Sequence, residues 1–268
     1  MNNRDIYKKR NAERYRNPND IIVIIFANKN DDNILSSPII LNKVGTEIIL
    51  IKLLNNVKKI KPTKIIVVTD HYYDDIYDVI YNHFTNTDNF EIIKQKQNLG
   101  TADAIITVKN ILSRHLEAKV LIIDAIMPML SVKIMKKMLD CDKIKLLLTH
   151  NNSDPNDKII FDNEGKVLKI INYDDCVLHE RKLKLSHLKC YTFHSETLLT
   201  YIFFINCLNN NREYRLSDII SIIQKKTIIE IDTYTLKPEQ EIEGRIIRTI
   251  QDYKDIDNYA HAIELTKF

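Results

Sequence analysis

Two aspartates, Asp31 and Asp32, stand among asparagines (Asn28, Asn30, Asn33) just past the apolar run Ile21–Phe26 (IIVIIF). A loop that leaves the first strand of an α/β chain usually binds phosphate. It carries glycine because backbone N–H groups must approach the ligand closely, often at positive φ. Here no glycine occurs between Ala27 and Val44, and Gly45 ends the segment. Two acids sit where an anion needs donors. The chain reads as a nucleotide-binding fold whose phosphate loop has been rewritten.

Other chemistry-bearing residues are sparse in pattern. The eight histidines show no H-E-x-x-H or related metal spacing. The four cysteines (Cys141, Cys176, Cys190, Cys207) are far apart and form no C-x-x-C, which reads as reduced thiols in a cytoplasmic compartment. The net charge of +3 is too small to argue for nucleic acid. Residues 1–19 are polar and basic, with Arg4, Lys8, Lys9, Arg10, Arg14 and Arg16, and read as a solvated arm. A partner-binding or nucleic-acid role for that arm ranks last among the functional readings. No apolar run reaches the roughly 18 residues that span a bilayer, so no membrane is expected. Isoleucine, asparagine, lysine and tyrosine are over-used and tryptophan is absent. That bias matches A/T-rich codons and suggests a large DNA virus, an A/T-rich protist or a reduced bacterium.

The elements that must position these residues alternate. Strands are expected at Ile21–Phe26, Lys64–Thr69, Phe90–Lys94, Lys119–Asp124 and Lys143–Thr149. Helices are expected near 46–59, 72–85, 101–115 and 131–140. Strands separated by helices of this length mean crossover units, a mostly parallel sheet and helices on both faces. The uninterrupted apolar strands suit that burial. Past His150 a hairpin (158–161 and 166–172 about DNEG), a strand near 188–193, helices near 195–208 and 217–225 and a strand at 227–232 follow. A helical tail covers 246–266. The expected fold is α/β, a Rossmann-like three-layer sandwich with a β-rich insert.

Several segments, in order, carry a resemblance to one family. Gln95–Ala104 (QKQNLGTADA), Val120–Leu130 (VLIIDAIMPML), Asp154–Ile170 (DPNDKIIFDNEGKVLKI), Asn209–Ile220 (NNNREYRLSDII) and Glu241–Gly244 (EIEG) resemble stretches of the sugar-1-phosphate nucleotidyltransferases. The likeness is to the uridylyltransferase domain of the bacterial bifunctional N-acetylglucosamine-1-phosphate enzyme. It covers about residues 20–255, with 1–19 an arm, 256–268 a tail and no hexapeptide-repeat acetyltransferase half. Gly45, Gly100, Gly165 and Gly244 all fall where the family has glycine.

The resemblance implies in-line attack of a sugar phosphate on the α-phosphorus of a nucleoside triphosphate, releasing pyrophosphate. Such catalysis rests on positioning and charge neutralisation. The family's arginine place is Asp32 and its lysine place is Ile39. Its magnesium places are Ile126 and Ile246, which cannot ligate a hard cation. The N-T-G that meets the amino sugar becomes His187, Leu188 and Lys189, a glycine pair is lost at Asp157–Lys158, and a hairpin acid becomes Asn172. The nucleotide-binding side survives at Ala27, Asn28, Gln95, Asn98, Gly100 and Thr101. Thr101 is also placed to cap the following helix.

Two readings follow. The first is a silenced member that binds a uridine nucleotide or nucleotide sugar, as a homo-oligomer or beside an active paralogue, with no cofactor. The second is an active UDP-amino-sugar pyrophosphorylase with relocated Mg²⁺. Asp124 lies two residues before Ile126 and is expected on the same strand face; Asp31 or Asp32, with Lys29 or Lys43 as cation, completes that alternative.

Overall fold

The computed structural model describes Asn17 and residues 19–28, 38–150 and 155–266. Lys29, Asp31, Asp32 and the arm at 1–16 lie outside the described residues, and so do the expectations placed on them.

Strand β1 (Ile21–Phe26) leads through a one-turn 3₁₀ segment at Ile39–Leu41 to a small hairpin, β2 (Lys43–Val44) and β3 (Glu47–Ile48). Then come α1 (Ile49–Lys59), β4 (Lys64–Thr69), α2 (Tyr73–His83), β5 (Phe90–Lys94), α3 (Thr101–Thr107) and a short turn, α4 (Lys109–Leu112). Next are β6 (Lys119–Asp124), α5 (Val132–Leu139), β7 (Ile144–Thr149), β8 (Asp157–Phe161) and β9 (Val167–Ile171). The series ends with β10 (Ser186–His194), α6 (Ser195–Tyr201), α7 (Asp218–Lys226), β11 (Ile231–Thr235) and α8 (Ile250–Leu265).

The main sheet runs β11–β7–β10–β6–β1–β4–β5, with the β8–β9 hairpin attached to β10. Its β1–β4, β4–β5, β1–β6 and β7–β11 pairs are parallel, and β10 lies antiparallel between β6 and β7. Successive side chains of β1 serve opposite faces. Val23 and Ile25 join the core packed beneath α1, α5 and α8, while Ile22, Ile24 and Phe26 join the core beneath α3, α6 and α7. Isoleucine and valine favour such strands because both faces of a covered sheet take branched side chains, each worth about 1.5–3 kcal/mol when buried. The α/β class with a mostly parallel sheet is as the residue pattern implied.

Local differences have local causes. The helix expected over 46–59 starts at Ile49, because residues 43–48 form the β2–β3 hairpin. Carboxylates of α8 hold that hairpin: Asp257 accepts from Gly45 N–H at 2.7 Å, and Glu264 accepts from Thr46 N–H and pairs with Lys52 at 3.0 Å. Helix α8 begins at Ile250 and buries Ile256 and Ala260. It is part of the core on both sides of residue 256. The helix expected at 195–208 stops at Tyr201, tightens through a 3₁₀ turn at Ile202–Phe204, and gives way to a loop in which Asn206 accepts from Leu208 N–H at 3.0 Å. The last strand lies at Ile231–Thr235 rather than 227–232.

Candidate functional site

Chain order places the site. From β1 the chain moves to β4 and β5 on one side, then returns to β6 on the other. The carboxyl ends of β1 and β6 are therefore a switch point, where crossover loops part and leave a crevice. Phe26 and Asp124 are register partners at those ends. The loops diverge from there: Ala27 N–H binds Val68 O at 2.8 Å, and Ala125 N–H binds Phe26 O at 2.9 Å. Phe26 and Asp124 line a cavity of about 390 Å³.

One wall is an amide relay. Gln95 is 3 % exposed and donates its Nε2 to Asp103 Oδ2 at 2.6 Å and to Gly100 O at 3.3 Å. Both partners are acceptors, so Gln95 Oε1 must face the other way, where it accepts Asn28 Nδ2 at 2.9 Å. That fixes the Asn28 amide and leaves its buried Oδ1 without a hydrogen-bond partner among the described residues. Gly100 has φ +115, and a Cβ there would meet Tyr214 O at 2.6 Å. Thr101 does not cap α3. It is the first helical residue after Gly100, and its Oγ1 accepts from Leu216 N–H at 2.9 Å, tying α3 to the start of α7. Asn28, Asn98, Gly100 and Thr101 line the cavity. Gln95 and Ala27 lie behind it, buried, and act through Asn28 and the β1 backbone.

The floor is hydrocarbon where the family resemblance places metal ligands. Ile126 is 4 % and Ile246 2 % exposed, and both line the cavity. Ile247 N–H donates to Ile126 O at 3.1 Å, so the two turns are stitched together. Ile126 does not share a strand with Asp124, because β6 ends at Asp124 and the chain turns. Asp124 Oδ1 instead accepts from Ile126 N–H at 3.3 Å. Among the described residues no three His, Cys, Asp or Glu side chains gather as a metal site. Among the described residues Asp124 is the carboxylate at the paired ends of β1 and β6, and the side chains of Ile126 and Ile246 beside it offer magnesium no oxygen. Lys43 is exposed on the β2–β3 hairpin, and Ile39 packs against the core; neither lines the cavity.

Among the described residues three cations line the cavity, Lys189, Arg215 and Arg248. Lys189 sits at a bulge in β10, between the paired residues His187 and Tyr191, with φ +53. A neutral histidine pins that bulge. His187 Nδ1 accepts from Lys189 N–H at 3.2 Å, and its Nε2 lies 3.3 Å from Cys190 O. Burial lowers the His187 pKa to about 4, so the ring is uncharged and free to accept at neutral pH. Arg248 is held by the Asn156 side chain. Burial raises the pKa of Asp124, and Lys189, the Ile126 N–H and Arg248 oppose that rise.

The rest of the lining comes from the hairpin, β10 and the segment leading into α7. Asp157, Asn172, Tyr191, Arg215 and Ser217 belong to it. Arg215 is 5 % exposed and pairs with Asp175, with its Nε 3.6 Å from a Glu213 carboxylate oxygen. Asp157 Oδ1 accepts from Tyr173 N–H at 3.3 Å. Its neighbour Lys158 is 1 % exposed and donates to Ser186 Oγ at 2.9 Å.

A crevice at the switch point of a parallel sheet is where α/β proteins of this class take their ligands. No protein-family model matches the chain. Individual proteins do. It is 29% identical over 228 residues to the "Probable UDP-N-acetylglucosamine pyrophosphorylase" of Acanthamoeba polyphaga mimivirus, covering 82% of this chain and 88% of that one. It is 29% identical over 221 residues to the "Bifunctional protein GlmU" of Buchnera aphidicola subsp. Schizaphis graminum, covering 81% of this chain and 46% of that protein. The GlmU of Francisella tularensis subsp. novicida is 26% identical over 204 residues, 75% of this chain and 43% of its own. The chain thus spans less than half the length of these GlmU relatives. These likenesses support a nucleotidyltransferase family close to GlmU. Among the described residues no helix is long and apolar enough to cross a membrane.

Proposed function

We propose that the protein binds a uridine nucleotide or nucleotide sugar in the switch-point cavity without the pyrophosphorylase turnover of its relatives. The observation that carries this is the pair Ile126 and Ile246, buried side by side at the floor while the amide wall keeps its polar groups. Isoleucine provides no lone pair to magnesium, and losing one electrostatic contributor at such a site typically costs roughly 10²–10³-fold in rate. The Asn28 amide, fixed through its Nδ2 by Gln95, lines the cavity and supplies a polar edge suited to the polar edge of a base such as uracil. A regulatory or scaffold role follows from binding without turnover, in a cytoplasmic setting, alone or beside an active relative.

The test pairs calorimetric titration with UTP and UDP-N-acetylglucosamine against a pyrophosphate-release assay with UTP, N-acetylglucosamine 1-phosphate and Mg²⁺. Binding with no release supports the reading. Mg²⁺-dependent release that Asp124→Ala abolishes establishes the alternative, an active pyrophosphorylase with its metal on Asp124.

A further inference from the structure

Resting on that reading of the cavity, we infer that Lys189 and Arg248 take the place of a divalent cation and hold the diphosphate of the nucleotide directly, without metal. The two side chains come from distant parts of the chain, a bulge of β10 and the turn before α8, and reach one cavity. That cavity floor is where Ile126 and Ile246 stand. Asn28 and this floor line the same cavity, at the ends of β1 and β6. Anions there need a counter-charge, and the floor offers hydrocarbon.

The alternative duties of these cations are light. Among the described residues Lys189 makes no ion pair within 4.0 Å, and Arg248 is held by the neutral amide of Asn156 rather than by a carboxylate. Arg215, by contrast, is engaged by Asp175 and Glu213. Both cations act electrostatically on Asp124, which lines the same cavity. Lys189 is also held in a conformation that side chains rarely adopt, φ +53, by the hydrogen bond from its N–H to His187. A lysine fixed in a left-handed bulge is a point charge aimed by the backbone, and an ammonium beside a guanidinium matches the two phosphates of a diphosphate.

The experiment is calorimetric titration of the full chain with UDP, uridine and inorganic pyrophosphate, each in EDTA and in Mg²⁺, repeated with Lys189→Gly, Lys189→Met and Arg248→Met. The expected result is UDP binding in EDTA that Mg²⁺ does not strengthen. Each substitution then weakens UDP by roughly 10- to 100-fold, as for loss of a charge-assisted hydrogen bond, and leaves uridine unchanged. Lys189→Gly is included because glycine accepts this φ readily, so a folding defect does not obscure the result. UDP binding that needs Mg²⁺, or that survives all three substitutions, overturns the inference and leaves nucleotide binding intact. If neither UDP nor uridine binds, the nucleotide reading falls. Pyrophosphate then decides the cation pair by itself: binding in EDTA that Lys189→Gly abolishes upholds it, and no binding ends it.

Discussion

Ile247 donates its backbone N–H to the carbonyl oxygen of Ile126 across 3.1 Å, joining the turn after β6 to the turn before α8. The two turns converge beneath the cavity, and Ile126 and Ile246 seal them with buried side chains. The backbone brings these two side chains to one cavity, and both are apolar.

That convergence gives the first prediction. Ile126→Asp alone buries a carboxylate among hydrocarbon and should cost about 2–4 kcal/mol in EDTA. Paired with Ile246→Asn, it creates two oxygen donors on stitched turns. The double variant should then gain thermal stability on adding Mg²⁺, whereas the wild type should not respond. Thermal unfolding of both proteins across a Mg²⁺ series measures this. A wild-type response equal to that of the double variant means a metal already binds elsewhere in the cavity.

The relay through Gln95 gives the second. Gln95→Ala leaves Asn28 Nδ2 and the Asp103 carboxylate without this partner in a partly buried place, at a cost of about 1–3 kcal/mol. Asn28→Ala leaves one Gln95 acceptor unmet at the cavity edge and should destabilise less, by about 1 kcal/mol, while weakening uridine roughly tenfold. Denaturant titration and uridine calorimetry separate the two effects. Equal loss of uridine affinity with equal loss of stability would mean that Asn28 serves only the fold.

How much of this was legible in the sequence varies with the physics behind each part. The strands were readable because uninterrupted isoleucine and valine runs have few other uses than a doubly covered sheet. Strands β2 and β3 were not, since two residues each carry no period. The convergence of Ile126 and Ile246 came only from the family resemblance, because nothing in the sequence marks two isoleucines 120 positions apart as neighbours. Lys189 entered the sequence reading only as the last place of an altered sugar-contact triplet, not as a cation of the cavity. It falls in an alternating strand, and the bulge that turns it toward the cavity arises from the His187 contact and a positive φ. Gln95 was read as a nucleotide contact, and the structure places it one hydrogen bond further back.

Strain at Lys189 supports a third prediction. With φ +53, a side chain costs roughly 1 kcal/mol that glycine does not pay, and the glycine's greater freedom in the unfolded chain offsets part of the gain. Lys189→Gly should therefore unfold within about 1 kcal/mol of wild type in denaturant. A loss above about 3 kcal/mol would assign the lysine to structure, and its effect on ligand affinity would lose its meaning.

Buried His187 and partly buried Asp218 contribute to the pH dependence with opposite signs, and Asp124, raised by burial, acts in the direction of Asp218. His187, facing Asp157 and Lys189, has its pKa lowered by burial to about 4. The unfolded chain binds the proton more tightly, so this contribution is complete above about pH 6.5 and is lost as pH falls through 4. Asp218 has its pKa raised by burial to about 6, with Arg215 opposing and Asp175 and Asp157 assisting. Here the folded chain binds the proton more tightly. Its contribution is complete below about pH 3.8 and is lost as pH rises through 6. Between about pH 4 and 6 the two slopes oppose each other, and the wild-type profile is flattened there. Asp218→Asn removes one slope. Its stability should rise with pH across that window by up to about 1.4 kcal/mol per unit, and it should exceed wild type at pH 7 by about 1–2 kcal/mol. Denaturant midpoints measured from pH 4 to 7.5 test both statements. A parallel pair of profiles would mean that Asp218 titrates no differently in the folded chain than in the unfolded one.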